Sequence, residues 1–279
     1  MKLASLFQTS GLALALSSGA TLHAQAAAPA PDPAAAPVPA LAPAVPHKPT
    51  AHDLMLKGDH HDVKLQPQQA LNYYLPALQM HPKSVPLLVR IARQYRHLMT
   101  DASQKDEKLR LGNLALAYSQ KAAALGPRDA EAQLSPAITY GKMLPYQGSG
   151  QQVEGSAKIK ESVDKALKLD PQNDTAWHVL GRWHQVLAGI GTVKRTLGRL
   201  IYGALPESTN EEAIKCFNKA IAINPNRLRH HIELGRTYAQ AGNADEAKRH
   251  LQKGMAMPNV EKDDPEMKEK GKEALAKLR

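Results

Sequence analysis

A chain of 279 residues with net charge +10, a single cysteine and 4% aromatic side chains cannot close an intramolecular disulfide. Its abundance of Ala, Leu and Lys suits an all-helical protein. The length admits one sizeable domain or two small ones. The charge favours acidic partners, whether nucleic acid, anionic headgroups or acidic protein segments, without choosing among them.

Residues 1–26 read as a cleaved secretory signal: Lys2, an apolar centre at Gly11–Leu16, then Ala24-Gln25-Ala26 as an A-x-A cleavage site. The alternative is an uncleaved segment that anchors the chain in a membrane. Spanning takes about 20 strongly apolar residues, however, and serines, Gln8 and His23 dilute this stretch. The expected location is therefore periplasmic or secreted, and the cleaved chain is not expected to be an integral membrane protein. Residues 27–50 carry eight prolines from Pro29 to Pro49 and read as an extended, disordered Ala/Pro-rich tether. The folded part is expected over 51–279.

Within it one helix ending recurs. Ala77-Leu-Gln-Met80-His-Pro82, Ala122-Ala-Ala-Leu125-Gly-Pro127, Ala166-Leu-Lys-Leu169-Asp-Pro171 and Ala220-Ile-Ala-Ile223-Asn-Pro225 are copies of one pattern, with a degenerate fifth at Gly254–Pro258. Upstream of the fourth, Trp177, Leu180 and Gly181 share a helical face, as do Ala213, Phe217 and Ala220. A large residue, Leu-Gly, then Ala…Phe…Ala…Pro is the signature of a tetratricopeptide repeat, ordinarily about 34 residues long. The expected fold is all-α: a tetratricopeptide superhelix of about five helix pairs with a C-terminal capping helix. The prolines lie further apart than that period, so insertions between the first and second helices of repeats two, three and four are expected. Their sites are the polar run Thr100–Lys108, the loop Gly148-Ser149-Gly150, and the long stretch Gln185–Ser208. In the last, Val186, Ile190, Val193, Leu197 and Leu200 form one apolar helical face, while Lys194, Arg195 and Arg199 lie elsewhere on it. That face either packs as core or lines a cavity. Ser208-Thr-Asn-Glu211 reads as a capping box, and Asp264-Pro265 as the start of a solvated final helix.

First helices line the concave surface in this repeat class. Arg93, Arg182 and Arg236 each follow the small residue of their repeat, and Arg96 and Arg229 occupy other groove positions. Together they predict a cationic stripe suited to carboxylate or phosphate, with Glu154, Glu161 and Glu211 available to neutralise part of it. Arg227, Arg229 and His231 form the densest basic cluster; His231 is expected to pack, and the two arginines stay candidates. His178 and Trp183 complete the candidate set with Arg182. Asp59-His60-His61-Asp62 is not expected to hold a metal, because adjacent side chains diverge. His178 and His184 lack a carboxylate at ligand spacing. No phosphate loop, nucleophile elbow or Cys/His pair occurs, so no catalytic residue, metal or cofactor is expected, and Cys216 reads as a buried apolar residue. Tyr73, Tyr74, Tyr95 and Tyr238 read as packing between helices rather than as a stacking platform for nucleic acid.

The runs Trp177-His-Val-Leu-Gly-Arg-Trp183, Leu200-Ile-Tyr-Gly-Ala-Leu-Pro206, Glu211-Glu-Ala-Ile214…Phe217 and Arg229-His-His-Ile-Glu-Leu-Gly235 resemble the regulator of microtubule dynamics family. The resemblance covers Leu54 to the C-terminus and includes the long insertion. It implies a helical superhelix used for binding; some animal members associate with microtubules, and one, tethered to mitochondria, has a lipid-binding repeat domain. This chain departs from them at its N-terminus, which predicts an exported protein of a bacterial envelope. Two functions are expected: a non-enzymatic scaffold holding a protein or acidic peptide in a basic groove, or a module that binds or transfers an anionic phospholipid through the insertion.

Overall fold

The computed structural model describes residues 48–190 and 208–278. Among them every regular element is helical: α1 (Ala51–Val63), α2 (Pro67–Met80), α3 (Val85–Asp101), α4 (Lys105–Leu125), α5 (Ala130–Met143), a 3-10 turn (Leu144–Tyr146), α6 (Ser149–Leu169), α7 (Asp174–Ala188), α8 (Asn210–Ile223), α9 (Leu228–Gln240), α10 (Ala244–Ala256) and α11 (Asp264–Ala276). They pack as the pairs α1/α2, α3/α4, α5/α6, α7/α8 and α9/α10, each leaning on the next, and α11 rests on α9 and α10. This is the all-α tetratricopeptide solenoid that the periodicity predicts.

Local chemistry sets the helix starts. Asp129, Asn173, Thr209 and Asn243 each accept the backbone N–H of the third helical residue. Thr50 and Asp53 form a reciprocal capping box at α1. Two expected caps move by one residue. Thr209, not Ser208, caps α8, because Ser208 is turned onto His184. Asp263, not Asp264, sits at the N-cap position of α11. The carboxylate of Asp264 instead accepts the N–H groups of Val260 and Glu261, both at 2.7 Å.

The extra residues of repeats two and three lengthen helices instead of making loops. Little of the insertion Thr100–Lys108 is a loop: α3 continues to Asp101, α4 begins at Lys105, and α4 runs for 21 residues. Gly148-Ser149-Gly150 is not one either, since Gly148 is the N-cap of the 21-residue α6; the chain turns earlier, at Leu144–Tyr146. The lengthened ends are apolar enough to build a cluster of their own from Met99, Leu111 and Met143, with Tyr146 against it. Of the insertion in repeat four, Val186 is half exposed and Leu187 is buried. Ile190 packs on the cluster around Trp183. Val193, Leu197 and Leu200 lie outside the described residues.

The expected tyrosines sit in helix packing. Tyr74 is fully buried, Tyr73 stacks on His61, Tyr95 on Tyr118 and Tyr238 on His250. His231 is likewise buried, stacked on His250 and bonded to the Pro225 carbonyl. Cys216 is buried, and burial pushes its thiol up to about 12, so it is an inert packing residue.

Two glycines show how closely each pair is set. A Cβ at Gly235 would stand 2.9 Å from the Leu251 amide nitrogen and 3.0 Å from the Ala247 carbonyl oxygen, whereas at Gly141 it would meet nothing within 4 Å. Gly235→Ala should therefore destabilise the fold by about 2 kcal/mol through overpacking. Gly141→Ala should stabilise it by roughly 0.5–1 kcal/mol through helix propensity. Thermal unfolding of both variants checks this: Tm should fall for the first and rise for the second.

Candidate functional site

The first helix of each repeat has one register. In α1, α3, α5, α7 and α9 the small residue is the eighth after the N-cap: Gly58, Ala92, Ala137, Gly181 and Gly235. The next position holds Asp59, Arg93, Ile138, Arg182 and Arg236. The predicted stripe is thus acidic at one end and interrupted by isoleucine in the middle.

Its arginines are not free. Arg93 bonds the Asp62 carboxylate on α1, and Arg90 bonds Asp59 at 2.7 Å. Arg182 reaches Glu233 on α9 at 2.9 Å, and Arg236 bonds the same carboxylate at 2.8 Å. Glu233 is only 2% exposed, so one buried carboxylate holds two guanidinium groups. Arg227 pairs with Asp174 (3.0 Å) and Glu261 (2.8 Å), and Arg229 with Glu261 (3.0 Å). Arg96 is buried against two hydroxyls, Ser135 and Thr139, both at 3.1 Å. Burial, with Arg93 nearby, pulls its guanidinium down to about 10. The neutralising groups are Asp59, Asp62, Asp174, Glu233 and Glu261, not the anticipated Glu154, Glu161 and Glu211. Glu161 pairs with Lys158 and Lys165 on its own helix, and Glu211 lies in the first turn of α8.

These pairs join α1 to α3 and α7 to α9. Between α5 and α7 no side-chain hydrogen bond or ion pair occurs among the described residues, and there the concave face opens into a cavity of about 670 Å³. Four of the predicted residues line it: His178, Arg182, Trp183 and Arg229. Arg93, Arg96, Arg227 and Arg236 stand outside its lining, and Lys194, Arg195 and Arg199 lie outside the described residues. Ile138, Leu144, Val153, Val186 and Ile190 supply an apolar wall; Lys142, Glu233 and Asp263 are on the polar side. Trp183 is fixed by its indole N–H, 3.0 Å from the Ser156 carbonyl.

His178 belongs to a relay. His230 Nε2 lies 2.9 Å from Asp174 Oδ2, and its Nδ1 lies 3.0 Å from His178 Nδ1. A carboxylate only accepts, so His230 donates from Nε2 and accepts at Nδ1, and His178 donates from Nδ1. His178 Nε2 is then left as an acceptor on a residue that lines the cavity. Burial and neighbouring cations hold both imidazoles neutral, lowering His178 well below its ordinary value and lowering His230.

Lys142 and Asp263 escaped the sequence reading. Lys142 lies one turn beyond Ile138, on the same face, which is the signal that could have marked it. Its ammonium bonds Asp263 at 2.7 and 2.8 Å and Thr100 at 2.7 Å. Burial opposes ionisation of Asp263, but the charge and hydrogen bond of Lys142 outweigh it and hold the carboxyl at about 2. Nothing before position 263 announces that partner.

Comparison with known proteins matches this arrangement to one family. The sequence profile described as "Regulator of microtubule dynamics protein 1-3" matches residues 53–279. This chain belongs to the regulator of microtubule dynamics family. It is similar to regulator of microtubule dynamics protein 1 of Mus musculus, with 28% identity over 194 residues, 69% of this chain and 64% of that protein. It is also similar to protein 3 of Xenopus laevis, with 27% identity over 180 residues, 64% of this chain and 39% of that one. The chain therefore spans less than two thirds of these relatives' length. Among solved structures it resembles TTC0263, a thermophilic TPR protein of Thermus thermophilus: TM-score 0.57, 15% identity, covering 81% of this chain and all of that one. That likeness establishes the solenoid fold. Fold and family together mark a helical repeat protein.

The histidines make the fold acid-sensitive. Burial lowers His97 to about 3 and His231 to about 4, and lowers His178, His184, His230 and His250. The unfolded chain binds protons at these residues from about pH 6.5 downward while the folded chain does not, so stability is complete above that pH and falls as pH drops. Urea titrations at pH 7.5, 6, 5 and 4 should show a loss of at least about 1.4 kcal/mol per pH unit below pH 6, the slope for a single histidine kept neutral.

Proposed function

We propose that the repeat domain is a non-catalytic scaffold that holds a segment of a protein partner in the cavity between α5 and α7. The observation that carries this is the gap in the ion-pair ladder: the α1–α3 and α7–α9 neighbours are pinned by charge, while Ile138 and its neighbours leave an open concavity of a size that holds small-molecule or side-chain ligands. The paired arginines weaken the case for a strongly acidic partner. A cation already matched by a buried carboxylate gains little from another. The geometry favours apolar side chains seated on Ile138, Val153 and Trp183, with a polar or carboxylate group toward Lys142 and His178.

A second reading has its own support. Leu144, Val186 and Ile190 share the cavity with Lys142, Arg182 and Arg229, an amphipathic lining that suits an acyl chain with an anionic head. On that reading the chain binds or transfers a phospholipid. Residues 1–26 and 27–50, read as signal and tether, put either activity outside the cytoplasm. The microtubule role named for the relatives stays with those proteins.

Gly141 gives a clean test, because a side chain there enters open space and favours the helix. A photo-crosslinking residue at 153 should capture a defined protein partner in cells, and one at exposed Lys248 should not. Gly141→Trp should abolish the capture while leaving Tm unchanged or higher. Native mass spectrometry of the purified chain decides between the readings: a bare mass supports the protein scaffold, and a stoichiometric phospholipid lost in Gly141→Trp supports the lipid module and overturns the first.

A further inference from the structure

The segment after α10 does more than end the solenoid. Three successive residues between them pair with three repeats. Glu261 bonds Arg227 and Arg229 beside α9, Lys262 bonds Asp101 at the end of α3 (2.8 Å), and Asp263 bonds Thr100 on α3 (2.7 Å) and Lys142 on α5. Immediately after this strap, Glu266, Met267 and Lys270 of α11 line the cavity, as does Asp263 itself.

The attachment is of two kinds. On α9 and α10 it is apolar: Met267, Leu275 and Leu278 pack with Leu228, Ile232 and Leu251. Toward α3 and α5 it consists of ion pairs and a hydroxyl bond. An apolar anchor at one end and an exchangeable charged contact at the other is the construction of a hinged cover. A carboxylate entering the cavity and reaching Lys142 would compete with Asp263 for the same ammonium, at little net electrostatic cost because one carboxylate replaces another.

We propose that residues 257–278 form an intramolecular cover of the cavity, in which Asp263 holds Lys142 in place of a partner's carboxylate and is displaced when that carboxylate binds. This rests on the cavity being the binding site proposed above, and it names the group that site exchanges. The charge that selects a partner is then Lys142, freed on opening, rather than the paired arginines.

Asp263→Asn in the full chain removes the competing charge with minimal change of shape. Hydrogen exchange should become about tenfold or more faster in 257–278, while α4, α6 and α8 keep their protection. Binding of 1-anilinonaphthalene-8-sulfonate, an apolar ring system bearing one anion, should tighten about tenfold or more. Adding Lys142→Met should cancel the gain in dye affinity without restoring protection. Unchanged exchange in 257–278 would overturn the cover, and so would loss of protection throughout the solenoid, which would make the pair a keystone of the fold. Gly141→Trp separates this from the binding reading: dye affinity indifferent to that change disproves the cavity as the site, whatever the cover does.

Discussion

Ion pairing between successive first helices organises the concave face. Side chains at the same register in α1, α3, α7 and α9 are charged; those of α1, α3 and α7 find an opposite charge on an adjacent first helix, and Arg236 of α9 shares the Glu233 carboxylate with Arg182. Desolvating these groups is costly, and the pairs recover that cost only in good geometry, so the spacing of the first helices is fixed by where the carboxylates lie. Where the register supplies Ile138 instead, no such constraint acts. There α5 and α7 meet through apolar packing of Leu134 and Ala137 with Ala176 and Leu180, and the surface is concave.

The fold was legible because its determinants are local and repeated. The Ala-x-x-apolar-x-Pro endings and the Leu-Gly of α7 specify helix pairs without knowledge of tertiary contacts. The excess length was legible as a quantity but not as a conformation. The polar run Thr100–Lys108 reads as an insertion with no conformation assigned; Lys108 Nζ bonds the Met99 carbonyl at 2.9 Å and Leu111 packs with Met99 and Met143, so two longer helices bury more than a loop would. Burial against a neighbouring repeat overrode local polarity.

The site was only half legible, for a corresponding reason. Counting from the small residue finds Arg93, Arg182 and Arg236, of which Arg182 lines the cavity. It does not find what faces them, because Glu233 follows its own histidine pair by two residues and looks like part of a solvated helix. His178 was visible only as a histidine beside Trp177. Its role as a relay to Asp174 depends on His230, 52 residues further on. Lys142 and Asp263, separated by 121 residues, lie beyond any spacing argument.

That last separation has a consequence for how the chain folds. A solenoid in which each repeat touches only its neighbours behaves as a one-dimensional array: it can nucleate anywhere, fray from its ends and populate partly folded states. Here the strap ties repeats two, three and five directly to one another, and such non-local closure slows folding and couples the units it joins. During synthesis the concave wall stays incomplete until the strap and α11 emerge, so the nascent superhelix carries Lys142 and its apolar surroundings uncovered while the preceding repeats are already formed. Closure of this wall thus waits on α11 and the strap before it, which bring Met267 and Asp263 to the cavity.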